Sequence, residues 1–151
     1  MQPSTSSSDP FDLARFVWAQ EGTHEHAVQE LRAGRKRSHW MWFVFPQVAG
    51  LGYSPMAQRY GIRKLGEARA YLEHPILGPR LVECTRIVNG LQRLSAHQIF
   101  GYPDELKFGS SMTLFELVAG AGSDFSTALD RYYDGRRDAM TLRLLELDTG
   151  D

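Results

Sequence analysis

A run of three cations followed by a serine and a histidine is the part of the sequence best suited to chemistry. Arg35, Lys36 and Arg37 directly precede Ser38 and His39. Arginine binds phosphate through two parallel hydrogen bonds, and lysine binds it as a point charge. Histidine exchanges protons near neutral pH, and neighbouring cations favour its neutral base form. We therefore interpret the three cations as anion ligands and His39 as a candidate acid–base catalyst. The structural alternatives are a solvated loop of cations and a partly buried histidine bonded to a backbone carbonyl.

The apolar run after this cluster, from Trp40 to Phe45, predicts a buried helix. Ser38 is a natural N-cap, and the helix should end before Pro46 because the residue preceding proline avoids the α region. A helix N-terminus already carries about half a positive charge, so the adjacent cations require a nearby anion. That anion is either a bound ligand or an acidic side chain from elsewhere in the chain. The run also fits a buried strand, and the dipole argument would then disappear.

Two tryptophans and a glutamine in the same stretch are candidate ligand-binding residues. On a helix, Trp40 and Trp42 point about 200° apart, whereas on a strand they share a face. We expect at least one of them to pack in the core, and we take Trp40 as the more exposed. An exposed tryptophan beside cations can stack on a base or a sugar. Gln47, at the end of the stretch, completes this part of the predicted site, together with the hydroxyl of Ser38.

A second cluster repeats the pattern of a cation, a glycine and hydroxyls at a predicted helix start. Gly109 would let the backbone come close to a ligand. The order differs from the phosphate loop of nucleotide triphosphatases, in which the lysine directly precedes the serine or threonine. The alternative is ordinary helix capping by one of the serines. If the two helix starts converge on one anion, the second cluster contributes Lys107, Ser110, Ser111 and Thr113.

The charge distribution suits a local site. The net charge is −1, yet the 36 positions from Leu31 to Gly66 contain no Asp or Glu and hold seven of the 17 cations. One basic segment in a near-neutral chain fits a local anion site better than a broad nucleic-acid surface. The alternative is that acids from flanking helices fold back and neutralise the segment.

The start and stop signals along the chain predict a mainly α fold. We expect a single compact domain of seven to nine helices over residues 9–151, preceded by a disordered tail at residues 1–8. Residues 48–60 read as a loop, and residues 104–108 as one turn separate from a later helix. The single cysteine forms no internal disulfide, and no apolar stretch approaches a membrane span, so we expect a cytoplasmic protein. We predict no metal site, because His24 and His26 diverge on a helix, and no cofactor.

Several motifs resemble one known family: RKRSHWMW at residues 35–42, FPQ at 45–47, LK at 106–107 and SSMTLF at 110–115. The resemblance extends from Pro10 to Leu145 and is to the family catalogued as domain of unknown function 1810. It implies a mainly α-helical fold and a bacterial or sometimes fungal source. Some members carry a calpastatin label, and no established activity comes with the resemblance.

The residues together predict a small-molecule site for a phosphorylated or nucleotide-like anion, walled by residues 35–47 and 107–113. Transferase or hydrolase chemistry on such a group would fit, with His39 as the acid–base, although whether the protein is an enzyme stays open. One alternative is a helical protein-interaction module without a ligand. A weak nucleic-acid-binding module is another, and the near-neutral charge counts against it.

Overall fold

The computed structural model describes residues 9–148 of the chain, with side chains through Glu146. Over that range the protein is mainly helical, as predicted, and forms ten helices. The predicted tail at residues 1–8 lies outside the described residues. The helices are α1 (Ala14–Gln20), α2 (His24–Arg32), α3 (Met41–Val44), α4 (Pro55–Tyr60), α5 (Leu65–Glu73), α6 (Leu77–Gly90), α7 (Ala96–Phe100), α8 (Asp104–Ala119), α9 (Asp124–Tyr133) and α10 (Ala139–Asp148).

Helix α8 is the centre of the core, and α5, α7, α9 and α10 all pack against it. Its residues from Phe108 to Phe115 are all buried, because the segment is apolar or small on every side. The prediction of a separate turn at residues 104–108 is wrong, since the helix continues through Gly109. A Cβ atom at Gly109 would lie 3.2 Å from the ring of Tyr133. The glycine therefore allows close packing of α9 and does not interrupt the helix.

The apolar run around Trp42 is buried as predicted, but its helix is shorter. Helix α3 is a single turn that begins after Trp40, without a side-chain cap from Ser38. It ends before Phe45, in agreement with the stop signal at Pro46. Residues 35–40 are neither helical nor part of a sheet. The predicted Ser38 N-cap is therefore wrong, and the reason lies in the hydrogen bonds of this segment, described below.

The predicted loop at residues 48–60 contains helix α4, which raises the number of helices above nine. The hydroxyl of Ser54 accepts a hydrogen bond from the N–H of Ala57, and Pro55 occupies the first turn. These are helix start signals that also occur in turns. Val48, at the start of this segment, and Ile62, just beyond its end, form an isolated parallel bridge.

Arg15 joins the first helix to distant parts of the chain. The side chain is 8% exposed, and a guanidinium has five N–H donors. Each donor has an acceptor: the carbonyl oxygens of Phe11, Asp12, Arg59 and Gly61, and the carboxylate of Glu67. Glu67 is fully buried, so this ion pair links α1, α5 and the residues after α4 inside the protein.

Helices α5 and α6 cross closely at Gly78. A Cβ atom at this position would lie 2.0 Å from the carbonyl oxygen of Leu72. Further along α6, Cys84 is buried and makes no disulfide. Burial and the nearby Glu83 raise the pKa of its thiol to about 12, so the thiol stays protonated at neutral pH. None of the helices within residues 9–148 is long and apolar enough to cross a bilayer.

Candidate functional site

The segment from Arg35 to Trp40 surrounds the carboxylate of Glu30, which lies in the last turn of α2. One oxygen of Glu30 accepts from the backbone N–H groups of Arg37 and Ser38 at 2.8 and 3.0 Å. The same oxygen accepts from the indole N–H of Trp40 at 2.9 Å. The other oxygen accepts from the hydroxyl of Ser38 at 2.5 Å. The negative group that the sequence required near Ser38 is therefore supplied by the chain itself.

Glu30 is ionised in this environment. Partial burial raises the pKa of its carboxyl, but the hydrogen bonds from Ser38, Arg37 and Trp40 outweigh that effect and lower the pKa to about 2. Hydrogen bonds to the charged form stabilise a carboxylate in this way. The hydroxyl of Ser38 donates to Glu30 and does not cap α3, which explains why the predicted N-cap is absent.

Lys36 points inward and forms the second internal contact of the segment. Its amine lies 2.6 Å from a carboxylate oxygen of Asp104, and only 7% of the side chain is exposed. The other oxygen of Asp104 lies 3.4 Å from the amine of Lys107. That amine in turn lies 4.6 Å from the centre of the Trp42 ring. We call Lys36, Asp104, Lys107 and Trp42 the lysine–tryptophan cluster. Through it, the two predicted segments meet.

Exposure alternates along the segment. Lys36, Ser38 and Trp40 turn inward, whereas Arg35, Arg37 and His39 are exposed. Within the described part of the chain, the side chains of these three residues form no ion pair and no hydrogen bond. We call Arg35, Arg37 and His39 the outer row. It lies beside the lysine–tryptophan cluster because Lys36 belongs to the same stretch of backbone.

The exposure of the two tryptophans is the reverse of the prediction. Trp40, expected to be the more exposed, is fully buried, and its ring lies 6.2 Å from that of Phe45. The indole N–H needs an acceptor, and Glu30 provides it inside the protein. Trp42 is the half-buried member. Trp42 and Gln47 border a hollow of about 10 Å³, which has room for no more than about one water molecule.

The hydroxyl residues of the second cluster lie inside α8 and not at a helix start. The hydroxyl of Ser110 donates to the carbonyl of Leu106 at 3.1 Å, and that of Thr113 donates to Gly109 at 2.9 Å. Ser111 is fully buried, and its hydroxyl has no partner among the described atoms. Ser110 also borders a separate pocket of about 340 Å³, which Lys107 does not line.

Two contacts near the candidate site were not predicted from the sequence. The ring of His97 lies 2.5 Å from the carboxylate of Glu105, the residue next to Asp104. The turn between α7 and α8 brings this pair together. Gly101 and Pro103 predict the turn, but nothing in the sequence predicts the pairing. Glu30 was not singled out either, although it is the last acid before the acid-free stretch. Over residues 9–148 there is no group of three or more His, Cys, Asp or Glu suited to a metal ion.

The fold and the site define a compact helical domain with a basic edge beside a partly buried ion-pair cluster. The chain belongs to the family described as Protein of unknown function (DUF1810), which matches residues 10–145, so the resemblance of its motifs is confirmed. It is also similar to a protein of known structure, the conserved hypothetical protein Rv1873 from Mycobacterium tuberculosis. The two chains are 59% identical, the match covers 91% of this chain and 99% of the other, and the TM-score is 0.89. No curated protein matches the chain.

Proposed function

We propose that this protein binds a small phosphorylated or nucleotide-like anion along the outer row and the adjoining lysine–tryptophan cluster. The observation that carries the proposal is the difference between inner and outer cations. Lys36 is neutralised by Asp104 at 2.6 Å. Arg35 and Arg37 are exposed, and no acid among the described side chains pairs with them. Two exposed arginines that are two positions apart in the chain and have no acidic partner favour a ligand with more than one negative charge.

The adjoining side chains supply the rest of such a site. The ammonium group of Lys107 has three donors and is partly exposed, so an anion can share it with Asp104. Trp42 is half-buried and Gln47 lies near it, which suits contact with a base or a sugar. Ser38, Ser110 and Thr113 bond within the chain and serve the site only as supports.

His39 is the acid–base group in the enzymatic form of this proposal. It is exposed and follows Arg37 in the outer row, so its imidazole can reach a ligand bound there. Near neutral pH an imidazole can accept or donate a proton. Transfer or hydrolysis of a phosphate-bearing group is the chemistry that these residues fit.

Ligand binding by paired variants tests the proposal. We expect at least one of ADP, ATP, ADP-ribose, glucose 6-phosphate and pyrophosphate to raise the melting temperature of the wild-type protein. A ligand at a hundredfold excess over its Kd stabilises by about 2.7 kcal/mol. Arg35→Ala/Arg37→Ala should weaken that ligand at least about tenfold in calorimetry, because each lost charge-assisted hydrogen bond is worth about 1.5–3 kcal/mol.

The matched control is Arg69→Ala/Arg143→Ala. Both residues are exposed helical arginines of α5 and α10, so the change in net charge is the same. This control pair should leave the affinity within about twofold, since remote surface charges are screened at physiological salt. Equal weakening by both pairs, or no stabilisation by any compound, would contradict the proposal.

The second candidate function is a helical interaction module without a small ligand. The observation in its favour is that Glu30 and Asp104 already supply negative charge to the basic segment. It predicts that none of the compounds raises the melting temperature. The same experiment therefore separates the two functions. Nucleic-acid binding stays the weaker alternative because the net charge is −1.

A further inference from the structure

A groove between the N-terminal segment and the end of α5 has no role in the proposed anion site. It encloses about 520 Å³ and is bordered on one side by Phe11, Val17 and Trp18 and on the other by Ile76. The Trp18 side chain is 76% exposed, and Ile76 is 41% exposed. Exposed apolar side chains that border the same hollow can be covered together by another molecule.

The groove is open because its floor carries small side chains. Ala14 comes from α1 and Ala70 from α5, and neither fills the space between the two helices. Trp18 lies one helical turn beyond Ala14 and forms a wall over this floor. A hollow between two helices with an aromatic wall fits the apolar face of a third helix.

Among the described residues, the ionisable groups that border the groove are acidic or neutral. The charged ones are Asp9 and Glu73, and both carry negative charge. His74 also borders the groove, and its Nδ1 accepts from the N–H groups of Ile76 and Leu77 at 3.1 and 3.3 Å. Burial lowers the pKa of this ring, so it stays neutral near pH 7. The groove therefore combines apolar walls with a negative rim.

We propose that this groove docks an amphipathic helix of a partner protein whose apolar face is flanked by lysine or arginine. The apolar residues of such a helix would cover Trp18 and the alanine floor. Its cations would face Asp9 and Glu73, and one of them can also lie over the Trp18 ring, because cations are attracted to the face of an indole. This proposal is independent of the anion site, since no residue of the outer row or of the lysine–tryptophan cluster borders the groove.

The test uses the full chain and two fluorescein-labelled model peptides measured by fluorescence anisotropy. Each peptide has 14 residues, is acetylated and amidated, and has a leucine face. One carries lysine at every flanking position, and the other carries glutamate. We expect the lysine peptide to bind and the glutamate peptide to bind at least about tenfold more weakly, with the difference shrinking as salt is added.

Variants then assign the binding to the groove. Trp18→Ala removes the wall, and Ala70→Leu fills the floor, so each should weaken the lysine peptide at least about tenfold. Glu73→Gln should weaken it by a smaller factor, because exposed charges contribute little to binding. Tyr53→Ala is the matched control, since Tyr53 is an aromatic residue that is 84% exposed in another part of the chain, and it should not change the affinity. Melting curves verify that each variant is folded.

Three outcomes would overturn the proposal. The first is equal binding of the two peptides, and the second is binding that Trp18→Ala and Ala70→Leu leave unchanged. The third is a concentration-dependent dimer in sedimentation experiments that Trp18→Ala abolishes, because the occupant would then be a second copy of this chain.

Discussion

The carboxylate of Glu30 accepts four hydrogen bonds from residues 37, 38 and 40. One of the donors is the indole of Trp40, which is fully buried. A buried N–H without an acceptor is costly, so Glu30 determines both the path of the segment and the position of Trp40. The exposed side chains of Arg35 and Arg37 fit this path, because Asp104 holds Lys36 inward between them and Glu30 holds Ser38 inward after them.

At the scale of residues, we predict that Glu30→Ala lowers the free energy of unfolding by about 2–3 kcal/mol, since it leaves the Trp40 indole and two backbone N–H groups without their acceptor. Urea unfolding followed by tryptophan fluorescence measures this change. Glu25→Ala is the control on the same helix, because Glu25 is exposed and contributes at most about 1 kcal/mol through the helix dipole.

Acid should weaken the hydrogen bonds that Glu30 accepts, because it protonates the carboxylate. The pKa of Glu30 is lowered from its ordinary value of 4.5 to about 2, so its contribution is present above pH 4.5 and is lost as the pH falls toward 2. Over this range the stability of the wild type should fall more steeply than that of Glu30→Gln. Parallel pH profiles of the two proteins would contradict the role assigned to Glu30.

Residue types could be read from the sequence, but the directions of side chains could not. The sequence identified residues 35–42 as a basic and aromatic cluster, and the lysine–tryptophan cluster does bring Lys107 to Trp42. The exposure of Trp40 was predicted wrongly because it depends on the acceptor for its indole, and Glu30 lies outside the motif. Whether the outer row binds an anion remains a prediction.

At the scale of elements, some helix ends coincide with local signals. Helix α5 ends at Glu73, directly before His74-Pro75, because the residue before a proline avoids the α region. Helix α7 begins after Ser95, which forms a capping box with Gln98, and such a cap involves residues only three positions apart. The continuity of α8 was missed because the reason for Gly109 is the ring of Tyr133 on another helix. A glycine required by packing looks the same in sequence as a glycine that ends a helix.

The crossing of α5 and α6 leads to a prediction about two glycines. Gly78→Ala should lower the free energy of unfolding by about 3 kcal/mol, because its Cβ would lie 2.0 Å from the carbonyl oxygen of Leu72, a backbone atom that cannot rotate away. Gly90→Ala, on the same helix, should leave stability unchanged or raise it by up to about 1 kcal/mol, since an added Cβ would have no described atom within 4 Å apart from its own turn of helix. Thermal unfolding of the two variants gives the comparison. Similar losses in both would show that the crossing is not the cause.

At the scale of the whole molecule, acids from outside the acid-free stretch of residues 31 to 66 contact it at several points. Glu30 precedes it and Glu67 follows it. Glu67 accepts a hydrogen bond from the backbone N–H of Arg63 and forms an ion pair with Arg15. Asp104 forms an ion pair with Lys36. The helical class and a single domain could be predicted, because they depend on local patterns and length. These pairings could not, since they join residues up to 68 positions apart.

The buried ion pair of Arg15 and Glu67 leads to a prediction about the stability of the whole fold. Arg15→Met should cost about 3–5 kcal/mol, because Glu67 and several carbonyl groups lose their partner inside the protein. Arg15→Met/Glu67→Leu should recover part of that loss. Arg63→Met is the control, since Arg63 contacts the same carboxylate from a side chain that is 64% exposed, and it should cost less than about 1 kcal/mol. Equal losses for Arg15→Met and Arg63→Met in urea unfolding would contradict the importance of the buried pair.

Cys84 has a practical consequence for studying this chain. It is the only thiol in the sequence, and its burial and raised pKa keep it from reacting. A cysteine introduced at an exposed position would then be the only one that reacts quickly with maleimides. Fluorophores or spin labels can therefore be attached at a single chosen position, without first replacing Cys84.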